Sequence, residues 1–208
     1  MKNDRTNERP RETWDVWQSL KRNRLTVACF VLLALFIFVA VFAGSLAPRD
    51  PQKTSGETFR PPSFQFLFGT DDLGRDVFSG VVRGARTSML IGVTVALLST
   101  LFGVLVGLTA GYAGGIIDEL LMRITELFLI PPRFFLALIV AALFGSTLFI
   151  LILVLSVTYW PGTARLIRAE VLSIRERSFV EAARAMGAGP VRIVLREILP
   201  NTLPIIVT

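Results

Sequence analysis

The stretch RERSFVEAARAMGAGPVRIVLREILPN, Arg175 to Asn201, decides how the rest of the chain is read. It is charged and rich in small residues, carries an internal Gly-Ala-Gly-Pro, and follows one of the most apolar regions of the sequence. Ser178-Phe179-Val180-Glu181 fits a capping box, with the Ser178 hydroxyl capping a helix start and Glu181 reaching back. That helix is expected to run from Phe179 to Met186 and stop at Gly187, a C′ glycine. Gly189-Pro190 then opens a second helix, with proline near its first position. In it Val191, Val194, Leu195 and Ile198 follow helical spacing, with Arg192 and Arg196 on another face. Pro200 is expected to end it, and NTLPIIVT begins another apolar run. The pattern predicts a water-facing helix–Gly turn–helix whose first helix is smoothed by Ala182, Ala183 and Ala185. Such helices dock into partner grooves, where small residues permit close approach. An amphipathic segment on the lipid surface is the alternative, disfavoured by a small, alanine-rich apolar face without tryptophan.

Around this stretch the composition is that of a membrane protein. Of 208 residues, 52% are hydrophobic and 18% charged, against about a quarter charged in soluble domains. The net charge of +6 comes from bases scattered between apolar runs, which fits membrane-flanking loops and no nucleic-acid partner. There is no histidine, so imidazole base chemistry, a Ser-His-Asp triad and His-ligated metal are excluded. The single Cys29 cannot form an intrachain disulfide and reads as a small apolar residue. The three lysines, Lys2, Lys21 and Lys53, lie outside any phosphate-binding loop signature. No catalytic, metal or cofactor site is therefore expected in this chain, and an integral-membrane enzyme is disfavoured.

Spans follow from uncharged runs. Leu25 to Ala47 is 23 residues without a charge, enough for a hydrocarbon core of about 30 Å. Basic residues before it and Ser-Leu-Ala near its end resemble a signal peptide; its length and the further spans favour an uncleaved anchor. Residues 1–24 form an N-terminal segment and 48–86 an external loop, extended and proline-rich over 48–68 and glycine-punctuated over 69–88. The transmembrane core would occupy 87–208, including a water-facing loop over 168–200. Thr87 to Ile117 is uncharged over 31 residues, its helix expected to end near Gly111. Gly103, Gly107, Gly111 and Gly115, at four-residue spacing, make a groove for close helix packing.

Phe134 to Ala164 is again 31 uncharged residues, broken at Gly145–Thr147. One span is expected from Leu120 to Phe144, carrying Glu126, Pro131, Pro132 and Arg133 into the membrane and kinked at the prolines. The next runs from Leu148 to Leu166. Arg123 and Glu126 are three apart and able to pair. Two places stay open for them: the bundle interior or pathway, and the membrane interface. Lysine and arginine number seven in residues 1–24, seven in 165–200 and six, with five acids, in 48–86. With four spans these counts put the N-terminus and the Arg165–Pro200 segment in the cytoplasm.

EAARAMGAGPVRIVLREILPN resembles the EAA loop of permease subunits of bacterial ATP-binding cassette importers, with Glu181, Ala182, Ala183, Gly187, Leu199 and Pro200 in register. GTDDLGRDVFS, GARTS, GYAGGIIDELLMR, PPRFFLAL and WPGTARLIRAEVLSIRERSFVEAARAMGA are similar to the dipeptide/oligopeptide/nickel branch, specifically its second, C-type permease. The likeness runs from about residue 15 to the end; Gly80, Glu126 and Glu197 depart from the branch pattern, which loosens the exact subfamily. The resemblance implies an all-α, multi-pass type I importer permease of six spans in a bacterial or archaeal cytoplasmic (inner) membrane. About four spans and the start of a fifth lie here, since the sequence stops at Thr208, as in a truncated form. It also implies a second permease, two cytoplasmic ATPase subunits that use ATP–Mg, and an extracytoplasmic solute-binding protein, beside membrane lipid. Glu181 to Gly187, with Ser178, Leu199 and Pro200, would engage the ATPase. Peptides, nickel chelates and other small solutes share the pattern. A secondary transporter using Glu126 and Arg133 is the other class, distinguished by having no ATPase partner.

Overall fold

The computed structural model describes residues 23–207; most of the N-terminal segment expected over 1–24 lies outside the described residues. The chain divides into two compact units, Met1–Met89 and Leu90–Thr208, the boundary falling inside one long helix.

In the first unit, Asn23 caps α1 (Arg24–Val41) by accepting the Leu25 N–H. Its 18 residues span about 27 Å, and its large apolar side chains from Leu25 to Phe38 are exposed, as on a lipid-facing helix. The expected single helix to Ala47 breaks at Phe42 and resumes as α2 (Ala43–Leu46). Ala43, Ala47 and Val82 form a small core with Val39 and Phe78.

α3 (Val77–Ala113) begins ten residues before the expected Thr87. The Asp76 carboxylate accepts the Ser79 N–H (3.2 Å) and hydroxyl (2.5 Å), capping a start that Gly80 and Gly84 obscure by lowering local propensity. Of the expected loop, then, residues 77–86 are helical. The rest is folded rather than extended. Asp71 accepts the N–H groups of Leu73 (2.9 Å) and Arg75 (2.8 Å) and pairs with the Arg75 guanidinium. The Arg75 N–H, above all, holds the Asp71 carboxyl below the usual carboxylate range. Gly69 sits at φ +74°, with the Arg60 carbonyl 2.2 Å from where a Cβ would stand, so this turn requires glycine.

In the second unit a two-glycine corner, Gly114 (φ +66°) and Gly115 (φ +53°), turns the chain from α3 into α4 (Gly115–Leu129). Gly115 therefore leaves the row of packing glycines. α5 (Arg133–Phe144) follows a break bent by 76°. The expected kink is a full interruption: two consecutive prolines withhold two backbone donors, and while Ile130 keeps helical angles the chain turns extended at Pro132 (ψ 124°). α6 (Leu148–Ile174) is capped by Thr147, passes through the buried Pro161, and runs eight residues beyond the expected Leu166.

α7 (Ser178–Ala185) and α8 (Pro190–Ile193) are followed by a π-helical turn, Val194–Ile198, and α9 (Leu199–Val207). Pro200 does not end the helix as expected. In the π turn the Leu199 N–H bonds the Val194 carbonyl, and this shifted register lets the chain pass a residue with no donor.

By length and composition α1, α3 and α6 can each cross a membrane, and α4 with α5 can cross as one bent span. The register of α3 on α6 decides how that bent pair counts. A Cβ on Gly103 would strike Thr163, one on Gly107 Ile167, and one on Gly111 Val171, so the two helices run parallel. Two parallel spans need a return crossing between them, which α4–α5 must supply. The chain is a multi-pass, all-helical membrane protein.

Candidate functional site

The connector between α6 and α7 is residues 175–177, with the Arg177 N–H bonding the Ile174 carbonyl and the Val180 N–H the Arg177 carbonyl. α7 therefore folds back on the end of α6 instead of continuing it. Arg177 takes the cap position and Ser178 is the first helical residue, so the expected capping box is not formed and no side chain caps this helix. Glu181 still lies in its first turn and Arg184 in its last, each matched to the helix dipole.

The stop is a Schellman turn. Gly187, at φ +81°, donates to the Arg184 carbonyl, and Ala188 to the Ala183 carbonyl, before Pro190 starts α8.

One face of this helix–turn–helix is locked into the chain. Val180 (0% exposed) and Ala183 (5%) join Leu108, Ile167, Val171, Ile174, Ile193 and Ile198 in a single apolar core. Arg184 stacks over Tyr112 at 5.8 Å. The other face is open: Ser178, Glu181, Ala182, Ala185, Gly187 and Pro200 are exposed, with Met186 (82%) and Val191 (71%) at the tip. Of the sequence-derived docking set, Ala183 belongs to the core and Leu199 is half-buried, so the accessible members are the others. Met186 is not singled out by the sequence, and the apolar stripe expected over Val191, Val194, Leu195 and Ile198 does not bury as one face, since Ile198 is buried while Val191 and Leu195 are exposed. The signal at the tip is an exposed apolar pair, Met186 and Val191, flanking the Gly-Ala-Gly turn, visible only once the helix faces are assigned.

The loop stands on an anchored base. Gly103, Gly107 and Gly111 let α3 lie against α6 at backbone distance; a Cβ on Gly107 would come within 2.6 Å of the Ala164 carbonyl. The Arg175 guanidinium donates to the Gly111 carbonyl (2.9 Å), satisfying the end of α3. Arg168 grips Asp118 through both carboxylate oxygens, at 2.5 and 2.6 Å. Neither arginine is marked by local spacing, since each partner lies 50 or more residues away.

The residues named for a pathway or bundle interior lie apart from this base. Arg123 and Glu126 approach to 3.6 Å, both well exposed in this chain. Pro131 and Pro132 form the break, and the exposed Arg133 stacks over Tyr159 at 4.5 Å.

The sequence is similar to those of known proteins. Residues 13–62 match the N-terminal transmembrane domain of oligopeptide transport permease C. The dipeptide transport system permease protein DppC of Bacillus subtilis is 42% identical over 94% of this chain and 61% of its own length. The di/tripeptide permease DppC of Pseudomonas aeruginosa is 36% identical over 93% of this chain and 66% of its own. The oligopeptide permease OppC of Bacillus subtilis is 33% identical over 91% and 62%. The chain thus spans a little over six tenths of such relatives. Residues 103–208, which hold Gly103, Gly107 and Gly111, all of α6 and the whole helix–turn–helix, match the binding-protein-dependent transport system inner membrane component, and it is to this family that the chain belongs.

Proposed function

We propose that the chain is the membrane-embedded permease subunit of an ATP-driven importer of di- or oligopeptides, with α7 as the helix through which separate ATPases act. The observation that carries this is the two-faced docking loop. Its inner face is built into the core, so a push on the exposed face at Glu181, Ala182, Met186 and Val191 moves α6 and the end of α3 together. A loosely attached loop would absorb such a push locally.

On this reading the N-terminus and α7 face the cytoplasm. Two ATPase subunits bind and hydrolyse ATP–Mg, and this chain holds no cofactor and catalyses no reaction of its own. A second permease completes the pathway, and an extracytoplasmic binding protein delivers substrate. The relatives' names, dipeptide, di/tripeptide and oligopeptide permease, support peptides over nickel.

The test is assembly and uptake with the cognate partners. Met186→Asp places a charge at the exposed tip, away from the core, and is expected to abolish co-purification of the ATPases and labelled dipeptide uptake while leaving the chain in the membrane. Retained ATPase binding would sink the docking assignment. Uptake of nickel without peptide would sink the substrate.

A further inference from the structure

α4 is a rod with a permissive joint at each end. At its start Gly114 and Gly115 both occupy positive φ, a region that places no side chain in the way of reorientation. At its end the chain breaks over Ile130–Pro132 and turns by 76°. Covalent connection therefore leaves the direction of α4 loosely determined, and side-chain contacts must set it.

Two contacts do so on α6. Near its end, Phe128 meets Trp160 edge to face at 5.5 Å, a contact that resists separation but tolerates sliding. At its start, Asp118 is held by Arg168 through two parallel bonds of 2.5 and 2.6 Å. A bidentate fork fixes both distance and orientation, which a single point charge does not. The Asp118 side chain is 14% exposed and that of Arg168 34%, so the pair is screened less than a surface pair. It is also the one non-local ion pair among the described residues; the other four join residues one, three or four apart. Arg168 lies one position from Ile167, in the same helix that carries Val171 and Ile174 into the core under α7.

We propose that Asp118–Arg168 is the positioning pair that carries displacement of the docking loop into α4, and through α4 to the bend at Pro131-Pro132. The proposal rests on α7 being the ATPase-docking helix, and the two fail separately, because one is read by ATPase association and the other by transport per ATP. Neutralising a single partner leaves a lone charge and threatens the fold. The informative variant is the neutral pair Asp118→Asn with Arg168→Gln, which removes both charges. In proteoliposomes holding the whole importer, the neutral pair is expected to bind ATPases and hydrolyse ATP at the normal basal rate. Peptide moved per ATP should fall about tenfold, the scale of an ordinary coupling free energy. The charge-swapped pair Asp118→Arg with Arg168→Asp is expected to recover most of that loss. Three results would overturn the proposal: unchanged peptide per ATP in the neutral pair, loss of the chain or of ATPase association in that variant, or no recovery on swapping. Loss of ATPase association in Met186→Asp reports on docking alone.

Discussion

Gly107 shows how much a single missing methyl group decides here. A Cβ at this position would stand 2.6 Å from the Ala164 carbonyl and 2.8 Å from the Ile167 Cβ, and neither atom belongs to a side-chain end that swings away. Gly107→Ala must therefore part α3 from α6 or strain both, at a cost of about 1–3 kcal/mol. Gly92, in the same helix, has nothing within 4 Å of its would-be Cβ. There the same substitution removes only a helix-weakening residue and is worth up to about 1 kcal/mol of stability. Thermal unfolding in detergent should separate the two variants in opposite directions; equal shifts would show that the close approach is not structural. The four-residue spacing exposed Gly103, Gly107 and Gly111 because packing on one helix face is periodic. It misassigned Gly115, which the φ of +53° places in a corner where helical periodicity has ended. Asp118 and Arg168 were illegible for the complementary reason: their contact joins residues 50 apart, and no local pattern encodes it.

Among elements, those set by local chemistry were the ones legible in the sequence. The Gly187 stop and the Pro190 start depend on φ preference alone and stand where the turn residues put them. The capping box failed because the connector after α6 brings Arg177 into the cap position, and only the fold-back of α7 determines that shift. Pro200 was misread because a missing donor breaks an α-helix, whereas the preceding π turn offers it a register that needs none. At Pro131-Pro132 no such turn precedes the prolines, and the helix does break. The consequence is measurable. Arms of 15 and 12 residues bent by 76° separate the start of α4 from the end of α5 by about 30 Å, whereas a straight helix over 115–144 would be about 45 Å long. Replacing both prolines by alanine restores two donors and lets position 132, extended at ψ 124° in this structure, return to helical angles. Spin labels at Ile117 and Leu143, both exposed, should then report a population near the longer distance. An unchanged distance would mean that packing on α6, not the prolines, makes the bend.

For the whole molecule the parallel register of α3 on α6 is the constraint with the widest reach. If α3, the α4–α5 pair and α6 each cross once, as their length and composition allow, loop residues before α3 and residues after α6 are expected on opposite sides of the membrane. A re-entrant α4–α5 would leave two crossings and return both to one side, but α6 would then run antiparallel to α3. Thiol accessibility tests this directly. Cys29, the sole cysteine, lies in α1 and is replaced by serine to give a silent background. Phe64→Cys, at a fully exposed loop position, should react in intact cells with a reagent that cannot cross membranes. Met186→Cys should react only after permeabilisation. Bound ATPases should then shield the cysteine at position 186 and leave that at position 64 untouched, since only the former lies on the proposed docking face. Labelling of both positions in intact cells would break the three-crossing count, and with it the proposed placement of α7 on the cytoplasmic side.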